Sequence, residues 1–288
     1  MHNVQVRTAL TVQPGGFLSG FSHTLQPYVG CAFGRNAAGR QGCPFCYVRR
    51  LPVGLWRASP WGEVVRAKVN VATVLERELT RLEERGELSR ARIFLGSATD
   101  PYQAAEARCR LTRACLQALV RHPPDLLVVQ TRSPLVLRDA DVLAKLGSRV
   151  WVSMTVETDD EAVRRIVTPT SAPIAARIAA MTAMRGHGIA VQAAVSPLLP
   201  CDPARLARLL KPACERVIVD TLWHGDGASG GRSRALGMPE MLTAHGWGAW
   251  CDERAHEPVF DGLVRAFGAS AVGFSLEGWN ALERVRRT

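Results

Sequence analysis

Three cysteines near the start of the chain have a spacing that suits metal chemistry. Cys43 and Cys46 form a C-x-x-C pair, and Cys31 stands twelve positions before Cys43. Thiolates are ligands for zinc and for iron–sulfur clusters, and paired thiols also serve as redox dithiols. A structural zinc site wants four closed ligands. Here three thiols are at hand with His23 as a fourth candidate, and no second C-x-x-C follows. A cluster held by three thiolates leaves one iron open, where a small molecule can bind and receive an electron. A redox pair belongs at a helix N-terminus in a thioredoxin-like unit, which the surrounding pattern lacks.

The other cysteines are Cys109, Cys115, Cys201, Cys214 and Cys251. Cys109 and Cys115 lie six apart on a predicted helix and do not share a face. The rest are scattered, so a second cluster has no spacing to support it. The N-terminus lacks a basic stretch followed by an apolar one, so no signal peptide is expected. The reading is a cytoplasmic protein whose clustered cysteines bind metal rather than form disulfides.

The elements that must position these thiols follow from hydrophobic pattern. Val71, Val74, Leu75, Leu79 and Leu82 recur at helical spacing, and Gly86 can end that helix. Short apolar strands are predicted over 91–95, 126–130, 150–154, 189–195 and 216–219. Helices are expected over 102–121, 139–146, 173–185 and 203–213. Strands that read as continuous apolar runs are buried on both faces, and intervening helices are the crossovers that parallel strands require. With an extended segment near 21–28, this makes six β/α units. The fold class is α/β, a partial (β/α)6 TIM-like barrel, in one domain over 1–288.

Several ordered motifs then carry a resemblance. Thr24-Leu25-Gln26-Pro27-Tyr28-Val29-Gly30-Cys31 followed by Cys43-Pro44-Phe45-Cys46-Tyr47 resembles the cluster loop of radical S-adenosylmethionine (radical SAM) proteins. It is most similar to the branch related to spore photoproduct lyase, also called DNA repair photolyase-like, which reads N-P-Y-x-G-C-x-x-x-C-x-Y-C-Y. Gly96 to Gln103 with Glu106-Ala107-Arg108, Gln130 to Ser133, Ser153 to Glu157, Pro173 to Arg177 and Val195 to Pro200 resemble the branch in order and spacing. The resemblance covers about residues 22–220, with 221–288 as a C-terminal extension. Two departures stand out. Gln26 replaces the usual Asn, and the first cysteine gap is eleven residues rather than three, filled by Arg35, Asn36, Gly39, Arg40, Gln41 and Gly42 among others. Lengthening the gap costs about 1 kcal/mol of closure entropy, which cluster bonds can absorb.

The resemblance implies a 4Fe–4S cluster on Cys31, Cys43 and Cys46, with S-adenosylmethionine on the open iron. It implies cleavage to a 5′-deoxyadenosyl radical that abstracts hydrogen from a substrate, with electrons from a donor such as a flavodoxin or ferredoxin. By position, Phe45 is expected near adenine, and Ser97, Thr99 and Asp100 near the methionine amino group or ribose. Ser153, Thr155 and Glu157 are expected near the ribose hydroxyls, Arg177 on the methionine carboxylate, and Ser196 on adenine or ribose. Cys201, just past a strand end, is the candidate hydrogen-donor thiol.

Composition bounds the partners. Hydrophobic residues make up 47% and charged residues 22%, so a folded domain is expected, and no apolar run is long enough to span a membrane. The net charge is +10, nearly all of the basic excess being arginine. That balance, with the terminal Arg284-Val285-Arg286-Arg287, keeps nucleic acid beside peptides and small metabolites as a candidate substrate. Residues 223–250, rich in Gly, Trp and His, read as loops over an open barrel mouth whose aromatics would either stack on bases or serve equally as hydrophobic lids with no nucleic-acid role. The competing class is a non-catalytic, zinc-stabilised nucleic-acid-binding module with zinc on Cys31, Cys43, Cys46 and His23.

Overall fold

The computed structural model describes residues 2–34, 42–55 and 61–282. Most of the eleven-residue gap and the terminal run Arg284 to Arg287 lie outside the described residues, as does part of the connector at 57–62. The strands are β1 (His2–Val4), β2 (Leu10–Val12), β3 (His23–Leu25), β4 (Tyr28–Val29), β5 (Arg66–Lys68), β6 (Arg92–Leu95), β7 (Leu126–Thr131), β8 (Val150–Thr155), β9 (Ala190–Val195), β10 (Arg216–Val219) and β11 (Val272–Phe274). The helices are α1 (Pro52–Leu55), α2 (Val71–Glu84), α3 (Glu106–Cys109), α4 (Leu111–Arg121), α5 (Ala140–Leu143), α6 (Glu161–Val167), α7 (Ile174–Gly186), α8 (Pro203–Leu210), α9 (Gly231–Ala235), α10 (Met238–Ala244), α11 (Glu257–Phe267) and α12 (Ser275–Asn280).

Eight strands form one sheet in the order β11-β10-β9-β8-β7-β6-β3-β2. Every pairing from β3 through β11 is parallel, and β2 adds antiparallel to β3 at the edge. The central strands are runs such as Leu126-Leu127-Val128-Val129, buried on both faces, as parallel strands covered by helices must be. On the outer face the helices share a single core with the strands. In α2 the buried side chains are Val71, Val74, Leu75, Leu79 and Leu82. Each contributes roughly 1.5–3 kcal/mol relative to exposure.

The inner face carries its own cluster, in which Phe94, Val128, Trp151, Ala194 and Ile218 from successive strands meet Trp279 and Phe21 from beyond the two edges. Residues on both sides of the sheet can converge only if the sheet curves, so this is a partial barrel. The gap between its edges is tied by Asn280 of α12. The backbone N–H of Gly20 donates to its Oδ1 at 2.6 Å, and its Nδ2 donates to Phe17 O at 3.4 Å and Ser19 Oγ at 3.2 Å. A separate small sheet, β1-β5-β4, flanks the segment leading to Cys31.

The predicted parallel strands are all present, and the barrel gains β11 as a seventh parallel strand. The expected helix over 102–121 is broken. Arg110 adopts a left-handed conformation (φ 51°) between α3 and α4. The Glu106 carboxylate accounts for the break: it accepts from Thr112 N at 2.9 Å and Arg113 N at 3.3 Å, capping α4 from its side. The helix expected over 139–146 is the short α5 flanked by tighter 3-10 turns. Residues 223–250, read as loops, contain α9 and α10. Among the described residues no helix is long and apolar enough to cross a membrane.

Asn280→Ala should lower stability by about 1–2 kcal/mol, because it releases bonds that join the two edges of the sheet. Urea unfolding of the purified chain measures it. An unchanged midpoint would mean that α12 and the turn at 16–20 are held by packing alone.

Candidate active site

The carboxyl ends of β6, β7, β8, β9 and β10 open onto one cavity of about 420 Å³. This is where ligands bind in parallel α/β folds, because chain direction changes there and side chains converge from several strands. Cys31, Cys43 and Cys46 all line it. The pair is ordered by its own turn, with Cys46 N donating to Cys43 O at 3.2 Å and Arg49 N to Cys46 O at 3.1 Å. Cys43 and Phe45 pack with Val163 and Val167 of α6, Trp223, and Met238 and Leu242 of α10. The C-terminal residues thus shelter the cysteine loop.

Burial pushes the Cys31 thiol up to about 12 and the Cys43 thiol up to about 11, and raises Cys46 as well. Left as thiols these groups stay protonated; a bound metal deprotonates them outright. Among the described residues no three His, Cys, Asp or Glu side chains gather closely enough to hold one ion. His23 does not join them. Burial lowers its pKa, its charged neighbours are Glu78, Glu87 and Arg85, and its ring meets Ser22 Oγ at 2.9 Å.

Arg132, directly after β7, is a cation beside the thiols. Its Nη1 lies 3.1 Å from Cys43 Sγ, 3.0 Å from Glu157 Oε1 and 3.5 Å from Ser171 Oγ. Burial opposes its charge, and Cys43, Glu157, Asp100 and Cys31 outweigh that. Sequence reasoning quoted this residue inside a motif and gave it no role.

The cavity is lined by Phe45, Ser97, Thr99, Asp100, Thr155 and Ser196. Ser97 and Thr99 are held by Gln26, whose Nε2 donates to Ser97 Oγ at 2.8 Å and whose Oε1 accepts from Thr99 Oγ1 at 3.2 Å. The Gln that replaces the usual Asn thus orders the turn after β6. Gly96 opens that turn at φ 101°, where a Cβ would stand 2.5 Å from Gln130 O. Asp100 is engaged within the protein, accepting from Tyr102 N at 2.8 Å, Thr131 Oγ1 at 2.7 Å and Arg132 N at 2.8 Å. Burial still raises its pKa against those bonds.

Four expected site residues lie behind the wall and require correction. Arg177 is fully buried in α7, donating to Glu157 Oε2 at 2.6 Å and Thr155 O at 2.7 Å. It supports the strand end and does not line the cavity. Glu157 is equally buried; Arg177 and Arg132 hold its carboxyl below the usual range although burial works the other way. Ser153 accepts from Gln192 Nε2 at 3.0 Å and is closed off. Cys201 packs against the outer, helix-side core, away from the cavity. The tryptophan and histidine stretch also changes meaning. Trp223 is buried, with Nε1 donating to Trp250 O at 3.2 Å, and His245 stacks on Trp247. These rings are largely engaged with one another.

The far wall, which sequence reasoning missed, carries Asp220, Thr221, Asp226 and Arg232. Asp226 is saturated by Ala228 N, Gly230 N and Ser233 N at 2.8–3.0 Å. Asp220 directly follows β10 and accepts from Thr221 N at 2.9 Å. Burial pushes its carboxyl up to about 7. An unfolded carboxyl titrates near 3.8, so the folded chain keeps a proton the unfolded chain loses, and stability falls as pH rises through the window from about 4 to 7. Asp220→Asn should remove that penalty, with a gain on the order of a few kcal/mol at pH 8 and clearly less at pH 5. Urea midpoints at the two pH values test it, and equal gains would show that the carboxyl carries no such penalty.

The comparisons with known proteins agree with this geometry. The family model described as the Radical SAM superfamily matches residues 25–202. The uncharacterized protein Rv2578c of Mycobacterium tuberculosis is 31% identical over 204 residues, 69% of this chain and 56% of that protein. The uncharacterized protein MJ0683 of Methanocaldococcus jannaschii is 25% identical over 183 residues, 64% of this chain and 62% of its own length. The chain thus spans a little over half the length of the mycobacterial relative. Among solved structures, a spore photoproduct lyase double mutant with bound AdoMet and dinucleoside spore photoproduct superposes with a TM-score of 0.64 at 14% identity, covering 94% of this chain and 80% of that one. Spore photoproduct lyase complexed with the dinucleoside alone gives 0.59 at 14% identity, covering 82% and 65%. The parallel partial barrel, the three thiols at its carboxyl end and the family match from β3 through the β9–α8 loop lead to one assignment: the chain belongs to the radical SAM superfamily.

Proposed function

We propose that this chain is an enzyme that holds a 4Fe–4S cluster on Cys31, Cys43 and Cys46, binds S-adenosylmethionine beside it, and uses the resulting radical on a substrate at the far wall. The observation that carries the reading is the wall itself. Three thiols share it with the largely enclosed guanidinium of Arg132 and with hydroxyl and amide groups from successive strand ends. When bound and reduced, the cluster supplies one electron that breaks a carbon–sulfur bond of S-adenosylmethionine, leaving methionine and a 5′-deoxyadenosyl radical.

The chain's own residues bind, orient and exclude water. Arg132 presents a cation beside the thiols, where a ligand carboxylate can take charge-assisted hydrogen bonds. It assumes the role first expected of Arg177. Gln130 donates through Nε2 to Thr155 Oγ1 at 2.7 Å, which leaves its buried Oε1 without a partner. A buried acceptor of that kind costs stability until a ligand donor meets it, and a ribose hydroxyl or an adenine amine supplies one. Ser97 and Ser196 add hydroxyls, and Phe45 a ring face. Phe94 and Trp279 form an apolar floor that keeps water from a reactive intermediate.

The substrate side is the far wall around Asp220 and Arg232. With Cys201 turned away from the cavity, the three cluster cysteines are the thiols among its lining residues, so hydrogen return by a spare protein thiol loses its candidate. Oligonucleotides come first among substrates to screen, ahead of peptides and small metabolites, a choice supported by the dinucleoside in spore photoproduct lyase and by the +10 charge. A flavodoxin or ferredoxin is the class of electron donor this chemistry calls for.

Anaerobic reconstitution with iron and sulfide, followed by S-adenosylmethionine and dithionite, should yield 5′-deoxyadenosine, and Cys43→Ala should abolish it. Tight zinc binding with no iron uptake and no 5′-deoxyadenosine would sink the reading. Arg132→Gln should raise the KM for S-adenosylmethionine roughly 10- to 100-fold, the loss expected for one charge-assisted hydrogen bond. An unchanged KM in steady-state turnover would move the carboxylate site elsewhere.

A further inference from the structure

Cys31 faces a problem that Cys43 and Cys46 do not. The pair is placed by its own turn, whereas Cys31 is joined to it through eleven intervening residues, and a long connection fixes the separation of its ends weakly. Phe33 O stands against Gly42 and accepts from Thr170 Oγ1 at 3.0 Å, which ties the ends of the connection, and Cys31 itself has a further tie.

The structure assigns that tie to Gln103. Its carboxamide spans Cys31, with Nε2 donating to Gly30 O at 3.2 Å and Oε1 accepting from Ala32 N at 2.8 Å. One side chain thus satisfies the peptide groups on both sides of the cysteine, as a neighbouring strand would. Gln103 is fully buried, so water does not compete for these bonds. On the other side Gly30 is confined at φ 88°, where a Cβ would stand 2.1 Å from Val64 O. Gly30 is therefore wedged between a backbone carbonyl and the Gln103 amide.

Gln103 is itself fixed. Its backbone N–H donates to Asp100 O at 3.4 Å, and its carbonyl accepts from Glu106 N at 2.8 Å at the start of α3. The same Asp100 takes the Arg132 N–H on its carboxylate. The turn at 100–103 thereby sets both Arg132 and Cys31 on the rigid ends of β6 and β7. Gln103 is a positioning residue that holds Cys31 for the cluster, so that cluster retention does not depend on the length of the segment between Cys31 and Cys43. This rests on the cluster reading proposed above.

The test compares the parent chain, Gln103→Leu, Gln103→Glu and a variant lacking three of residues 35–41. Each is reconstituted anaerobically and assayed for iron per chain, the electron paramagnetic resonance of the reduced cluster, and the rate of iron loss to a chelator. Thermal unfolding of the unloaded chains controls for folding. Gln103→Leu should lose iron roughly tenfold faster or more, as expected for two lost hydrogen bonds, with an altered resonance. Gln103→Glu keeps the acceptor for Ala32 N and should fall between; it decides the matter if the Leu variant does not fold. The shortened variant should match the parent. Parent-like iron retention and resonance in the folded Gln103 variants, or iron loss in the shortened variant alone, would overturn the inference. A parent chain that takes up no iron would instead overturn the cluster reading, and this inference with it.

Discussion

A largely enclosed guanidinium governs the arrangement of the site. Arg132 keeps 15% of its side chain exposed, at the cavity, and a charge so enclosed costs stability unless it is paired and hydrogen-bonded. Its partners come from separate elements: Glu157 after β8, Cys43 in the cysteine loop, and Asp100 after β6, which takes its backbone N–H. Removing any of them would leave charge stranded. The carboxylate of Glu157 must in turn be balanced from behind, and Arg177 does this from the core face of α7. The result is a relay in which a helix cation supports a strand-end anion, which supports a cavity cation, which faces a thiol. Arg132 is raised and Glu157 lowered by the charges around them although burial opposes both, whereas burial raises Asp100 and the Cys43 thiol.

That relay explains which features were legible in the sequence. The strands announce themselves as apolar runs bounded by polar residues, because a parallel strand covered on both faces has no other way to be stable. The cysteines announce themselves by spacing and by the motifs around them. The error over Arg177 was avoidable in principle. Ile174, Arg177, Met181 and Met184 fall at helical spacing, and all four are buried in α7. An arginine in that stripe points into the core and not toward a cavity. Arg132, by contrast, directly follows the run Leu126 to Thr131, at the carboxyl end where parallel strands deliver side chains to a site. Asp220 carries the same signal after Val217-Ile218-Val219.

Other features had no local signal. The break at Arg110 follows from Glu106 reaching forward to cap α4, a choice that depends on Tyr28 and Arg138 also meeting that carboxylate. Strands β2 and β11 are three residues each, and pairing with a curved sheet makes them strands. The arginine excess likewise reads differently in three dimensions. Arg113, Arg121, Arg138, Arg164, Arg177, Arg185, Arg205, Arg234 and Arg254 each pair with a carboxylate. These arginines are structural, yet each pair cancels one charge of either sign and so leaves the +10 excess unchanged.

The cavity divides along the chain in a way that bears on specificity. The segment matching the family model ends at residue 202 and contributes the cysteines, Arg132 and the polar strand ends through Ser196. Asp220, Thr221, Arg232 and Trp279 come from beyond that boundary, as do α10 over the cysteine loop and α12 across the edges of the sheet. Chemistry common to a superfamily needs the first set, since the reactive ligand and its cofactor do not change. Choice of substrate is a difference in binding free energy between competitors, and it is set by groups that touch the substrate alone. Asp220, Thr221 and Arg232 lie in the cavity lining outside the segment that the family model matches, and burial raises the Asp220 carboxyl.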